Sequence, residues 1–170
     1  PCIVWVSRSD DDDNGLVDGT ATILSGYYDR VRPYAFKFYL RLSSVWLGGT
    51  QEIGSEAFYC CYYLSSVTFS SRRYMSIGPS AFRQCSRLSS FPHIFANYIG
   101  WHAFSSTLIS YMVIDFPDVA NPSESDGLYR IEDWAFGGMS SLSTIIISGG
   151  NSFLSLGSNI FGNSLSIYLL

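Results

Sequence analysis

Charge is scarce in this 170-residue chain, and what it lacks narrows its chemistry before any motif is considered. Only 14% of residues are charged, and the net charge is -4 at pH 7. The ten Lys and Arg residues are scattered, with Arg72-Arg73 the only adjacent pair. Phosphate binding needs a concentrated basic surface, so nucleic acid is not an expected partner. Four cysteines, Cys2, Cys60, Cys61 and Cys85, show neither Cys-x-x-Cys nor His-x-x-x-His spacing, which excludes the common zinc patterns. Histidine occurs twice, at His93 and His102. Neither a Gly-x-Ser-x-Gly elbow nor a Gly-rich phosphate loop is present, so the chain is not expected to be an enzyme or to carry a cofactor. No apolar run reaches the length that spans a membrane, and no signal peptide is visible. The chain opens on Pro1, as a mature product or an excised fragment would.

What is abundant is aromatic residues, at 16%, and repetition. Ile53-Gly-Ser-Glu-Ala-Phe-Tyr-Cys-Cys-Tyr-Tyr-Leu64-Ser-Ser-Val67-Thr-Phe69 returns as Ile77-Gly-Pro-Ser-Ala-Phe-Arg-Gln-Cys-Ser-Arg-Leu88-Ser-Ser-Phe91. The Phe column is Phe36, Phe58, Phe82, Phe104, Phe136 and Phe161, with steps of 22, 24, 22, 32 and 25 residues. Five residues earlier stands an aliphatic each time: Val31, Ile53, Ile77, Ile99, Ile131 and Leu156. Gly follows it in four copies (Gly54, Gly78, Gly100, Gly157), where the backbone turns tightly or takes a positive φ. Ala precedes Phe in five copies, and Leu42, Leu64, Leu88 and Leu142 follow Phe by six. A period of this length marks stacked units that bury a shared core. The Leu-Ser-Ser-Val-Thr-Phe segment is expected to form a strand, with Leu64, Val67 and Phe69 inward. The Ala-Phe segment is expected to form a turn or short helix on the opposite wall.

Two regions fall outside the rhythm. Residues 1–30 precede it, with Cys2-Ile-Val-Trp-Val6 and Gly19-Thr-Ala-Thr-Ile-Leu24 as strand candidates around an acidic turn; a β-hairpin-like cap is expected there. Residues 115–128 lengthen one step with two Pro, a Gly and several Asp, Ser and Asn, which marks a loop. Such an insertion either binds or is a tolerated surface excursion. The last copy closes on apolar Ser166-Ile-Tyr-Leu-Leu170, so a continuation, or another chain in end-to-end self-association, is expected over that edge.

The Ile-Gly-x-x-Ala-Phe-x-x-Cys-x-x-Leu-x-x-Val-x-Phe pattern over residues 31 to about 169 resembles the BspA-type leucine-rich repeats. That resemblance implies an α/β leucine-rich-repeat solenoid of six strand-plus-turn or short-helix units, residues 31–170, with a parallel sheet on its concave face. It also implies an extracellular or cell-surface protein, an adhesive role toward host or microbial surfaces, and no shared catalytic residues. The Cys column departs from the pattern, holding Cys61 and Cys85 but Tyr39, Thr107, Met139 and Ser164 elsewhere.

Candidate sites are few. Cys61 and Cys85 share a column, as buried thiols or as a disulfide between neighbouring strands. Asp10, Asp12, Asn14 and Gly15, with Asp18, match the front of a calcium loop, but Ala21 stands where the bidentate carboxylate belongs, so no metal is favoured. His93 takes the strand position of Phe69 and is expected to be partly buried, with His102 on the opposite wall. The remaining candidate is a surface. Between the inward columns, Ser44 and Trp46, Ser66 and Thr68, Ser90 and Pro92, Tyr111 and Val113, Thr144 and Ile146 are expected to point outward. Trp46, Thr68, Pro92, Val113 and Ile146 then form a mostly apolar row beside Tyr111, with Tyr168 as a possible extension. Such a row marks an interaction site for a protein or glycan, although the same residue types also suit strands as such.

Overall fold

The computed structural model describes residues 20–22, 30–69, 74–117, 129–149 and 154–162. Two rows of parallel strands and one wall of turns recur along the chain. The first row opens with β1 (Thr20–Thr22), β3 (Ser44–Trp46) and β5 (Ser66–Thr68), a three-stranded sheet in the order β1-β3-β5. The second row opens with β2 (Arg30–Val31), β4 (Glu52–Ile53) and β6 (Tyr74–Ile77). These join β7 (Ile94–Ile99), β8 (Tyr111–Phe116) and β10 (Thr144–Gly149) in the order β10-β8-β7-β6-β4-β2. In the same eight-stranded sheet, β9 (Tyr129–Ile131) pairs with β7 and with β11 (Leu154–Leu156). Equivalent residues face one another, as in Ser44↔Ser66, Val45↔Val67 and Ile53↔Ile77. Register is set by column, as the repeat requires.

The second strand row was not expected from the sequence. Its early members are only two residues long, too short to show alternation. Strands β7, β8 and β10 lengthen to six residues. β8, which begins in the first row, pairs with the start of β7, whose end pairs with β9 in the second, so the two rows join there. A register shift falls between Met75 and Ser76 where β6 meets β7. Because β8 runs to Phe116, the first two residues of the expected 115–128 loop are strand. Residues 118–128, most of the expected 1–30 cap, and Tyr168 lie outside the described residues; Thr20–Thr22, the part of that segment described as strand ahead of Arg30, lies parallel to β3.

The expected short helix is replaced by turns; the described residues contain no helix. The reason lies in where the amide hydrogens go. Tyr34, Phe36 and Phe38 donate to Ser55, Ala57 and Tyr59 carbonyls of the next coil at 2.9, 2.7 and 2.9 Å. Between them, Ala35, Lys37 and Tyr39 donate within their own coil, to Arg32, Tyr34 and Phe36 at 3.3, 3.1 and 3.1 Å. Alternate amides thus tie the coil to itself and to its neighbour, and the wall pairs its backbone without side chains. A helix would use these amides internally and leave the next coil unpaired. The geometry requires a left-handed residue two before and two after each Phe. Glu56 and Cys60, Ser80 and Gln84, His102 and Ser106 occupy these places with φ between 54° and 61°.

Inside, Phe36, Phe58, Phe82, Phe104 and Phe136 are almost fully buried. Their rings stack nearly parallel, with centroids 5.2, 5.1, 5.5 and 5.8 Å apart, and Phe161 continues at 5.6 Å. Ala57, Ala81, Ala103 and Ala135 are fully buried beside them, where a larger side chain would displace the rings. The Gly column has a simpler cause than positive φ. A Cβ on Gly78 would lie 2.7 Å from the Ser55 amide nitrogen, and one on Gly100 would lie 2.5 Å from that of Pro79. The preceding coil passes too close for any side chain.

Candidate binding surface

The outward faces of the first strand row follow directly from strand alternation. Val45, Val67, Met112 and Ile145 point into the core. Their neighbours Ser44 and Trp46, Ser66 and Thr68, Tyr111 and Val113, Thr144 and Ile146 are half-buried or exposed. Tyr111 keeps 52% of its surface free. None of these side chains is charged.

The candidate residues come together as two groups. Trp46 lies opposite Thr68 across β3 and β5, and Val113 lies opposite Ile146 across β8 and β10, with Tyr111 opposite Thr144. Pro92 separates them. The segment Ser90-Phe91-Pro92 forms no strand, because Pro has no amide hydrogen for the ladder. Phe91 nonetheless stays inward, edge-on to Phe82 and Phe104 with centroids at 5.1 and 4.9 Å. The expected continuous row is therefore interrupted at its centre, with Pro92 half-buried there.

His93 corrects another expectation. After Pro92 the chain sends Ile94 inward and leaves the His93 side chain 48% exposed. Its Nε2 lies 2.9 Å from Asp115 Oδ2, and the Ser148 hydroxyl donates to the other oxygen of Asp115. A histidine, an aspartate and a serine from three copies thus meet at one spot, a cluster that sequence spacing did not reveal. Their order does not make a nucleophile. The serine proton goes to the carboxylate and not to the imidazole, whereas an activated hydroxyl needs the base beside it.

Among the described residues, Cys60, Cys61 and Cys85 are free thiols. Cys61 Sγ donates to the Phe36 carbonyl at 3.0 Å and Cys85 Sγ to that of Phe58 at 3.2 Å. Burial pushes the Cys61 thiol up to about 12 and Cys85 well above its ordinary value, so neither is primed for chemistry. His102, on the turn wall as expected, has its imidazole lowered by burial and then by the Arg83 charge. Tyr98 is raised to about 12 by burial and by its bond to Glu132. The calcium candidates Asp10, Asp12, Asn14 and Asp18 lie outside the described residues.

The repeated Phe column, the Gly close approach and the in-register parallel strands find their counterpart in a known family. The BspA-type leucine-rich repeat region matches in six copies, over residues 20–121 and 118–169. The chain belongs to this family. No curated protein and no solved structure matches it. BspA-type leucine-rich repeats are generally modules of protein interaction and adhesion, typically non-enzymatic and typically found in surface or secreted proteins. No helix among the described residues is long and apolar enough to cross a membrane.

Proposed function

We propose that this BspA-type repeat chain is a non-enzymatic binding module that engages a partner through the outward face of its first strand row. Trp46 and Tyr111 are its anchors, and Thr68, Pro92, Val113 and Ile146 complete the contact. The observation that carries this is the absence of charge. Ten outward positions from Ser44 to Ile146 hold only hydroxyl, apolar and aromatic side chains, and Tyr111 is half free. Aromatic anchors on a rigid, uncharged face gain affinity from desolvation without stranding a buried ion. A protein surface offers the apolar complement more readily than a glycan does. The module acts outside the cell or on its surface, and the 118–128 segment is a second place where a partner engages it.

The test is a panel of extracellular-matrix proteins and glycans probed with the wild-type chain and with Trp46→Ala/Tyr111→Ala. Loss of two central anchors should weaken a true binder by about 100-fold or more. Affinities untouched by the double substitution would sink the proposal.

A further inference from the structure

The turn wall gathers cations that look scattered in the sequence. One residue after Phe36, Phe58 and Phe82 come Lys37, Tyr59 and Arg83; five residues after come Arg41, Tyr63 and Arg87. Both columns run cation, tyrosine, cation over the first three coils. The tyrosines orient the cations. The Lys37 ammonium lies 5.2 Å from the Tyr59 ring centroid, and the Arg83 guanidinium 6.0 Å from it. Arg87 lies 4.1 Å over Tyr63. Beside them, Cys60 donates to Gln84 Oε1 at 2.8 Å and accepts from the Tyr62 hydroxyl at 3.4 Å, which ties together the chain neighbours of Arg83 and Tyr63.

Charge on this wall is only partly neutralised. Glu56 pairs with Lys37 at 2.6 Å. Among the described residues, Arg41, Arg83 and Arg87 have no carboxylate at ion-pair distance, and Arg41 and Arg87 are exposed. Three uncompensated guanidinium groups thus share one wall of a chain whose net charge is -4.

We propose that this wall is a docking surface for an acidic polysaccharide carrying about one sulfate per disaccharide. Each free guanidinium offers a fork of donors to a sulfate or carboxylate. Cations of one column stand two coils apart, roughly 10 Å at the spacing of parallel strands, which suits widely spaced anions. Nucleic acid brings a phosphate about every 3.4 Å of axis per strand. It also needs open ring faces for base stacking, and here Lys37 and the arginines lie over those of Tyr59 and Tyr63. The exposed Tyr63 hydroxyl, in the column between Arg41 and Arg87, is complementary to sugar hydroxyls, which an acidic peptide lacks.

The probe is chondroitin sulfate, titrated at low ionic strength into wild type, Arg41→Ala/Arg87→Ala and Trp46→Ala/Tyr111→Ala. Desulfated chondroitin, poly-glutamate and oligo-dT serve as comparators, and circular dichroism checks that each variant is folded. Chondroitin sulfate should bind wild type, bind the arginine variant about tenfold more weakly or worse, and bind the Trp46/Tyr111 variant as wild type. Arg87→Lys, which keeps charge and loses the fork, should fall between. The proposal is overturned if chondroitin sulfate does not bind. It is equally overturned if a folded arginine variant binds unchanged, or if poly-glutamate or oligo-dT binds more tightly.

Discussion

Cys61 donates its thiol hydrogen to the Phe36 carbonyl of the preceding coil, 3.0 Å away, inside the core. The bond gives a buried polar atom a partner and ties neighbouring coils without a covalent link. Burial holds the Cys61 thiol protonated well above its ordinary range.

The folded chain should therefore lose stability in alkali. Burial raises Cys61 from an ordinary 9.0 to about 12, and Cys85 shifts the same way. A group whose folded pKa lies above its unfolded value stabilises fully below the unfolded value. That contribution fades as pH rises toward the folded value. Between pH 9 and about 12, Cys61 should cost up to about 1.4 kcal/mol of stability per pH unit, and Cys85 acts in the same direction. Urea unfolding of wild type and of Cys61→Ala/Cys85→Ala over this range measures it; the double variant should show the shallower decline. At pH 8 both native thiols should react with iodoacetamide orders of magnitude more slowly than in urea.

Thr107 breaks the pattern that the cysteines set. It occupies their column and is buried, yet its Oγ1 has no hydrogen-bond partner. A buried hydroxyl left unpaired costs about 1–3 kcal/mol. Thr107→Val keeps the shape and removes the hydroxyl, so it should stabilise the chain by about 1 kcal/mol. A raised urea midpoint with unchanged slope is the expected readout, and a lowered midpoint would show that the hydroxyl is satisfied in solution.

How much of this was visible beforehand varies by element. The columns of Phe, Ala and Leu were legible because identical residues recur at one period and must stack to be buried. The family followed from them. The turn wall was not legible as turns, since Glu56, Ser80 and His102 carry no residue-type signal for a left-handed backbone. Stacking between coils imposes it. The outward row through Trp46 was readable from alternation, but its interruption was not. Pro92 stands ten residues after Phe82, as Thr68 stands ten after Phe58, but a proline argues against a paired strand at that position. The meeting of His93, Asp115 and Ser148 depends on registers across copies of unequal length, which spacing alone does not supply.

The Gly column makes a steric prediction. Gly78 needs no positive φ, so Gly78→Ala would be mild if only conformation mattered. The Cβ, however, meets the Gly54–Ser55 backbone at 2.7–2.8 Å, and backbone cannot step aside as a flexible side chain can. Gly78→Ala should destabilise by about 1–3 kcal/mol, the usual range for overpacking. Gly54→Ala and Gly100→Ala should do the same, and a neutral result by thermal unfolding would contradict the close approach of the coils.

The left-handed columns predict effects of opposite sign at equivalent places. Two residues after Phe104 stands Ser106 with φ of 61°, and two after Phe136 stands Gly138 with φ of 69°. Both positions are exposed, so packing does not decide the outcome. A side chain in this conformation costs roughly 1–2 kcal/mol, which glycine avoids at the expense of a more flexible unfolded chain. Ser106→Gly should therefore be neutral to mildly stabilising. Gly138→Ala should destabilise by about 1 kcal/mol, even though its Cβ would meet nothing nearer than Ser106 Oγ at 3.4 Å. The double variant should come out near wild type, because both changes act on the backbone of exposed turns. If Ser106→Gly and Gly138→Ala shift the urea midpoint in the same direction, the alternating left-handed turn is not what holds this wall together.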